Sequence, residues 1–124
     1  MEFFRHAVIQ AHKPSKVQNL LIHPSRNLLY SIADDKRVAI SDIESRRRVY
    51  ALKCSNFRPK CMILVEETSQ LYISMREAIL FVFDISEIEP IVMHTVKINH
   101  MICSMTFNFQ ANCLMMLDVK GTLF

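Results

Sequence analysis

The chain has 124 residues, 51% of them hydrophobic and 22% charged, with a formal net charge of +3. That is enough for one ordinary domain with a core, and it excludes a disordered or fibrous chain. The small positive charge argues against nucleic acid as a partner. No apolar run approaches the roughly 18 residues a membrane helix needs.

In chain order, the apolar segments are short and evenly spaced. Phe4–Ile9 comes first, followed by Val17–Ile22, Leu28–Ala33, Arg37–Ile43 and Arg48–Lys53. A second group reads Cys61–Val65, Gln70–Met75, Ile79–Ile85 and Ile91–Ile98, and a third Ile102–Phe109 and Cys113–Asp118. Val, Ile, Phe and Tyr favour strands, and turn residues separate the segments, as in His23-Pro24-Ser25-Arg26-Asn27 and Gln110-Ala111-Asn112. No long amphipathic helical stripe occurs. The pattern predicts an all-β chain, either a sandwich, a barrel or a propeller.

An internal repeat chooses among these. Asp35-Lys36-Arg37-Val38-Ala39-Ile40-Ser41-Asp42-Ile43 matches Glu77-Ala78-Ile79-Leu80-Phe81-Val82-Phe83-Asp84-Ile85 at an offset of 42 residues. Leu28-Leu29-Tyr30-Ser31 matches Gln70-Leu71-Tyr72-Ile73 at the same offset, and Cys113-Leu114-Met115-Met116 gives a third copy. A period of about 40–45 residues with four strands per unit is the signature of a propeller blade. The units run approximately 12–53, 54–98 and 99–124, the last truncated, so nearly three blades and an incomplete ring are expected.

The repeat resembles WD repeats. Ala11-His12 stands where that family has Gly-His, and His23-Pro24 follows the expected inner strand. Ser31 precedes Asp35 by the family's serine-to-aspartate spacing, and Asp42 and Asp84 close their units. The family's Trp is replaced by Ser41 and Phe83. The resemblance implies that His12, Ser31 and Asp35 tie the first blade together by hydrogen bonds. The second unit has Ile73 in place of Ser31 and lacks the histidine. More narrowly, the pattern is similar to WD-repeat proteins that carry a FYVE zinc finger, although no such finger is present.

The remaining residues suggest little catalysis. A His–Ser–Asp set invites a hydrolase reading, but no glycine-rich elbow is near it, and the chain's one glycine is Gly121. His6, His23, His94 and His100 are scattered without metal-ligand spacing. Cys54, Cys61, Cys103 and Cys113 form no close pair and read as reduced, buried thiols. The methionines read mainly as core filling. Neither metal nor cofactor is expected.

Arg46-Arg47-Arg48 is the one basic triplet and a possible anion-binding site, since guanidinium forks match phosphate and carboxylate. Met1-Glu2-Phe3-Phe4-Arg5-His6 lacks the pattern of a secretory signal, which points to an intracellular, cytoplasmic protein. The expected function is a non-enzymatic protein-interaction scaffold. Its partners would be other proteins or the remaining blades of a parent chain, with self-association through uncovered apolar faces. The alternative is an adaptor recruited to anionic or phosphoinositide-bearing membrane through Arg46–Arg48.

Overall fold

A computed structural model describes residues 11, 12 and 14–124. The first sheet holds β1 (Val17–His23), β2 (Leu28–Ala33), β3 (Arg37–Asp42) and β4 (Arg47–Lys53). The second holds β5 (Pro59–Val65), β6 (Gln70–Met75), β7 (Ile79–Asp84) and β8 (Ile91–Lys97). The third pairs β9 (Ile102–Asn108) with β10 (Cys113–Asp118). All pairing is antiparallel, and strand order within each sheet follows chain order. The only helix among the described residues is one 3₁₀ turn at Glu66–Thr68.

The repeat in the sequence is a repeat in register. Tyr30 faces Ile40 across β2 and β3, and Tyr72 faces Val82 across β6 and β7. Backbone bonds outside the ladders recur in the same way. The Asp34 N–H donates to the Lys16 carbonyl at 2.9 Å, Arg76 to Arg58 at 2.8 Å, and Val119 to Met101 at 3.0 Å. These three bonds fasten the start of each inner strand to the end of its neighbour.

The inner strands adjoin one another, β1 against β5 and β5 against β9, while β4 and β8 lie at the outer edges. The core sits between the first two sheets. Tyr30, Ile32 and Ile40 from the first pack with Leu71, Ile73, Phe81 and Phe83 from the second. Phe57 meets Phe81 edge-on at 5.6 Å, the offset geometry that aromatic quadrupoles favour.

Turns carry the cost of a chain with a single glycine. Asn27, Ser69 and Asn112 occupy the left-handed region at matching turns, and so do Lys36, Ala78 and Gly121. Asn adopts that region readily because its side chain bonds locally. Ala78, at φ 64°, has no such help and is strained by about 1 kcal/mol or more.

Strand ends differ slightly from expectation. Arg47 joins β4, and Pro59 and Lys60 extend β5, whereas Ile43, Ile85, Ile98 and Phe109 fall just beyond their strands. The expected strand Phe4–Ile9 lies outside the described residues.

Candidate functional site

The first sheet gathers the three residues singled out for tying a blade. His12 precedes β1, Ser31 lies within β2, and Asp35 sits in the β2–β3 turn. His12 Nδ1 is 2.9 Å from Asp35 Oδ2, and Nε2 is 2.8 Å from Ser31 Oγ. A carboxylate only accepts, so Nδ1 carries a hydrogen and donates. In that tautomer of the uncharged imidazole, Nε2 is left to accept from the Ser31 hydroxyl. Asp35 Oδ1 also accepts the Arg37 N–H at 3.1 Å, which fixes the turn. His12 is 4% exposed and Ser31 3%, so a substrate has no path to the hydroxyl. The set is arranged like a hydrolase triad but sealed like a structural one.

The second sheet solves the same problem with other side chains. Glu77 stands where Asp35 stands, and its carboxylate takes the Arg58 guanidinium at 2.8 Å and the Arg58 N–H at 2.9 Å. Burial pushes the Glu77 carboxyl up, but the two Arg58 contacts outweigh it and hold the group below its usual value. Inside the sheet, Ser74 Oγ and Cys61 Sγ lie 2.8 Å apart, both buried. Sequence reading offered no sign of the Arg58–Glu77 pair beyond the match of Glu77 to Asp35.

The third sheet adds a pair that sequence reading missed. His100, expected to be an isolated histidine, places Nδ1 3.0 Å from Asp118 Oδ2. The Thr122 N–H, His100 and the Lys120 N–H together lower the Asp118 carboxyl against the opposing effect of burial. The pair is not register-equivalent to His12–Asp35, because Lys120 occupies the Asp35 position.

Asp42 and Asp84 each close a strand. Asp42 Oδ1 accepts the Glu44 N–H at 3.2 Å, and Asp84 Oδ1 accepts the Ser86 N–H at 2.9 Å and its hydroxyl at 2.7 Å. The Ser86 bonds lower the Asp84 carboxyl. Arg26, from the β1–β2 turn, reaches across to donate to the carbonyls of Ile85 and Ser86 in the second sheet. That link between sheets spans 59 residues in sequence, and nothing local announces it.

Arg46, Arg47 and Arg48 are all exposed, but they do not converge. Arg46 forms the left-handed turn, Arg47 and Arg48 are successive residues of β4 and so point to opposite faces, and Arg48 donates to the Ala11 carbonyl at 3.0 Å. Among the cysteines, Cys54 and Cys61 are buried, whereas Cys103 and Cys113 are exposed, contrary to the expectation that all four pack inside. Burial, with Asp35 nearby, pushes the Cys54 thiol up to about 12. The methionines divide in the same way: Met62 and Met75 are buried, and Met93 and Met101 are exposed.

Among the described residues, no helix is long and apolar enough to cross a membrane and no group of ligands could hold a metal. No family description matches the chain, and no curated protein matches it in sequence. Solved structures do match in shape. The β-propeller domain of Cps50 (Swd1) from Myceliophteria thermophila superposes with a TM-score of 0.72 at 15% identity, over 89% of this chain and 42% of that one. A chain of the mitotic checkpoint complex superposes with a TM-score of 0.70 at 14% identity, over 84% of this chain and 31% of its own length. This chain therefore spans less than half of either neighbour. The narrower likeness to FYVE-finger-linked proteins finds no support among them. The chain has the fold of a β-propeller, seen here as two four-stranded blades and two strands of a third.

Proposed function

We propose that the chain is a non-enzymatic protein-interaction scaffold whose blades hold loops and strand edges in fixed places for protein partners. The observation that carries this reading is the sealing of His12, Ser31 and Asp35. His12 and Ser31 are buried, Asp35 is half-buried, and the histidine bonds both of the others, so we read the set as serving the blade. In the same way, Arg58–Glu77 and the Asp42 and Asp84 turns are ties that keep strand ends in register. The four free thiols suit a reducing, intracellular compartment. One structural neighbour is a β-propeller domain, and the other is a chain solved within the mitotic checkpoint complex.

The test is reconstitution. Proteins captured on the immobilised full chain are identified, purified and mixed with it singly, and sedimentation reads the complex. The expected result is at least one stoichiometric pair that survives Ser31→Ala. Failure of every pair to reassemble, together with ester or peptide hydrolysis that Ser31→Ala abolishes, would overturn the proposal.

A further inference from the structure

The antiparallel strands divide the loops between two ends of the blades, and the charges divide with them. One end carries the starts of β1, β5 and β9 and the turns after β2, β6 and β10. From the first blade it gathers Lys16, Lys36, Arg37 and Lys53. The second contributes Arg58, Lys60, Arg76 and Lys97, and the third Lys120. The carboxylates at this end are Asp34, Asp35, Glu77 and Asp118.

All four of those carboxylates are already engaged. Glu77 holds Arg58, Asp34 lies 3.9 Å from Arg76, and Asp35 and Asp118 hold His12 and His100. The other seven cations have no ion-pair partner among the described residues, and all are exposed or half-exposed. The Arg76–Asp34 contact joins the first two blades here, so the cations belong to one continuous surface.

The opposite end has the reverse balance. Its cations are Arg26 and Arg46–Arg48, and both Arg26 and Arg48 are turned onto backbone carbonyls. Asp42, Glu44, Glu66 and Glu67 stand against them, with Asp84, Glu87 and Glu89 from the β7–β8 turn. The net charge of +3 conceals this separation.

We infer that the cationic end is a docking surface for an acidic polypeptide segment carrying apolar anchors. The inference rests on the scaffold reading and names the chemistry of its partner. A cleft of about 410 Å³ opens at this end, where exposed Met101 and Val119 flank Lys120 and Asn99. Apolar contact beside free ammonium groups suits a segment that alternates acidic and apolar residues. Six of the seven free cations are lysines, flexible point charges that meet scattered carboxylates, whereas planar bidentate recognition of phosphate favours Arg. The rings nearest this end, Phe57 and His100, are already engaged, Phe57 edge-on against Phe81 and His100 tilted against Phe124, which does not favour a stacking platform for unpaired bases.

The experiment measures fluorescence anisotropy with the full chain. The probes are a labelled peptide alternating glutamate and leucine, its lysine–leucine counterpart, a single-stranded oligonucleotide of equal charge, and phosphatidylserine vesicles. The glutamate–leucine peptide should bind, more weakly as salt rises. Reversing Lys16→Glu, Arg37→Glu and Lys53→Glu together should weaken it about tenfold or more. The milder Lys16→Gln, Arg37→Gln and Lys53→Gln set should fall between, and its unchanged melting curve keeps the result independent of folding. Reversing Arg46→Glu and Arg47→Glu at the far end should leave binding unchanged.

Equal loss from both reversals, or equal binding of the lysine–leucine peptide, would overturn the inference. Tighter binding of the oligonucleotide or the vesicles through the same residues would also overturn it and reassign the surface. If reconstituted protein pairs persist while the acidic peptide fails, the scaffold reading stands and this inference falls. If both fail, both fall.

Discussion

The first and second blades share a backbone plan and differ in what fastens it. Both place a left-handed residue in the turn between their second and third strands, Lys36 and Ala78, and both tie that turn to the start of the inner strand through one N–H. The first then adds a three-residue network in which His12 and Ser31 are buried, and the second an ion pair in which Arg58 is half exposed to water. A buried network is costly to break because its survivors lose all their partners. An exposed pair is screened and replaced by water. The same backbone geometry is therefore closed by different residues, and the two ties should differ in what they contribute to stability.

The largest effect should come from what the blades have in common. Phe83 is 1% exposed and belongs to the core that the two sheets share. Phe83→Ala should cost about 3–5 kcal/mol and leave a single unfolding transition, because emptying the joint core weakens both blades at once. Two separated transitions in a urea titration would show that the blades do not share a core.

Ala78→Gly sharpens the comparison at the turn. Glycine enters the left-handed region without a Cβ penalty, so the substitution should stabilise by about 0.5–1 kcal/mol, whereas Gly is disfavoured in ordinary positions. A loss of stability would mean that the turn is relaxed with alanine. The equivalent Lys36→Gly offers a direct check in the first blade.

Acid should bear on the second and third sheets through Glu77, Asp84 and Asp118, all held below their ordinary values. A depressed carboxyl contributes stability above its unfolded value and loses it as pH falls through the folded one. Stability should therefore be level near neutrality and decline below the ordinary carboxylate range. Glu77→Gln should flatten part of that decline while costing at most about 1 kcal/mol at neutral pH. An unchanged acid limb would show that the Arg58 pair does not form in solution.

Thiol labelling gives the smallest perturbation. In the native chain a disulfide reagent should modify Cys103 and Cys113 and spare Cys54 and Cys61, and denaturation should release all four. Rapid native labelling of Cys54 would contradict its burial.

Much of this was legible in the sequence, for definable reasons. The offset between Asp42 and Asp84 located β3 and β7 because equivalent strands of repeated blades end in equivalent turns. The WD-repeat resemblance singled out His12, Ser31 and Asp35, and His12 stands within 2.9 Å of each of the other two. The second blade's tie was hidden because Arg58 and Glu77 achieve it with different chemistry. Arg26 was hidden because its partners are carbonyls, which carry no side-chain identity. The cysteines misled because sheet position decides their exposure: Cys61 lies in the well-covered β5, while Cys103 and Cys113 lie in the two-stranded third sheet.

A largely buried network fastens the first blade and an exposed pair the second. The most direct test is urea unfolding of His12→Ala beside Glu77→Ala, with matched controls in one buffer at neutral pH. The expected loss is about 1–3 kcal/mol for His12→Ala and clearly less, about 1 kcal/mol at most, for Glu77→Ala. Equal losses, or a larger one for Glu77→Ala, would contradict it.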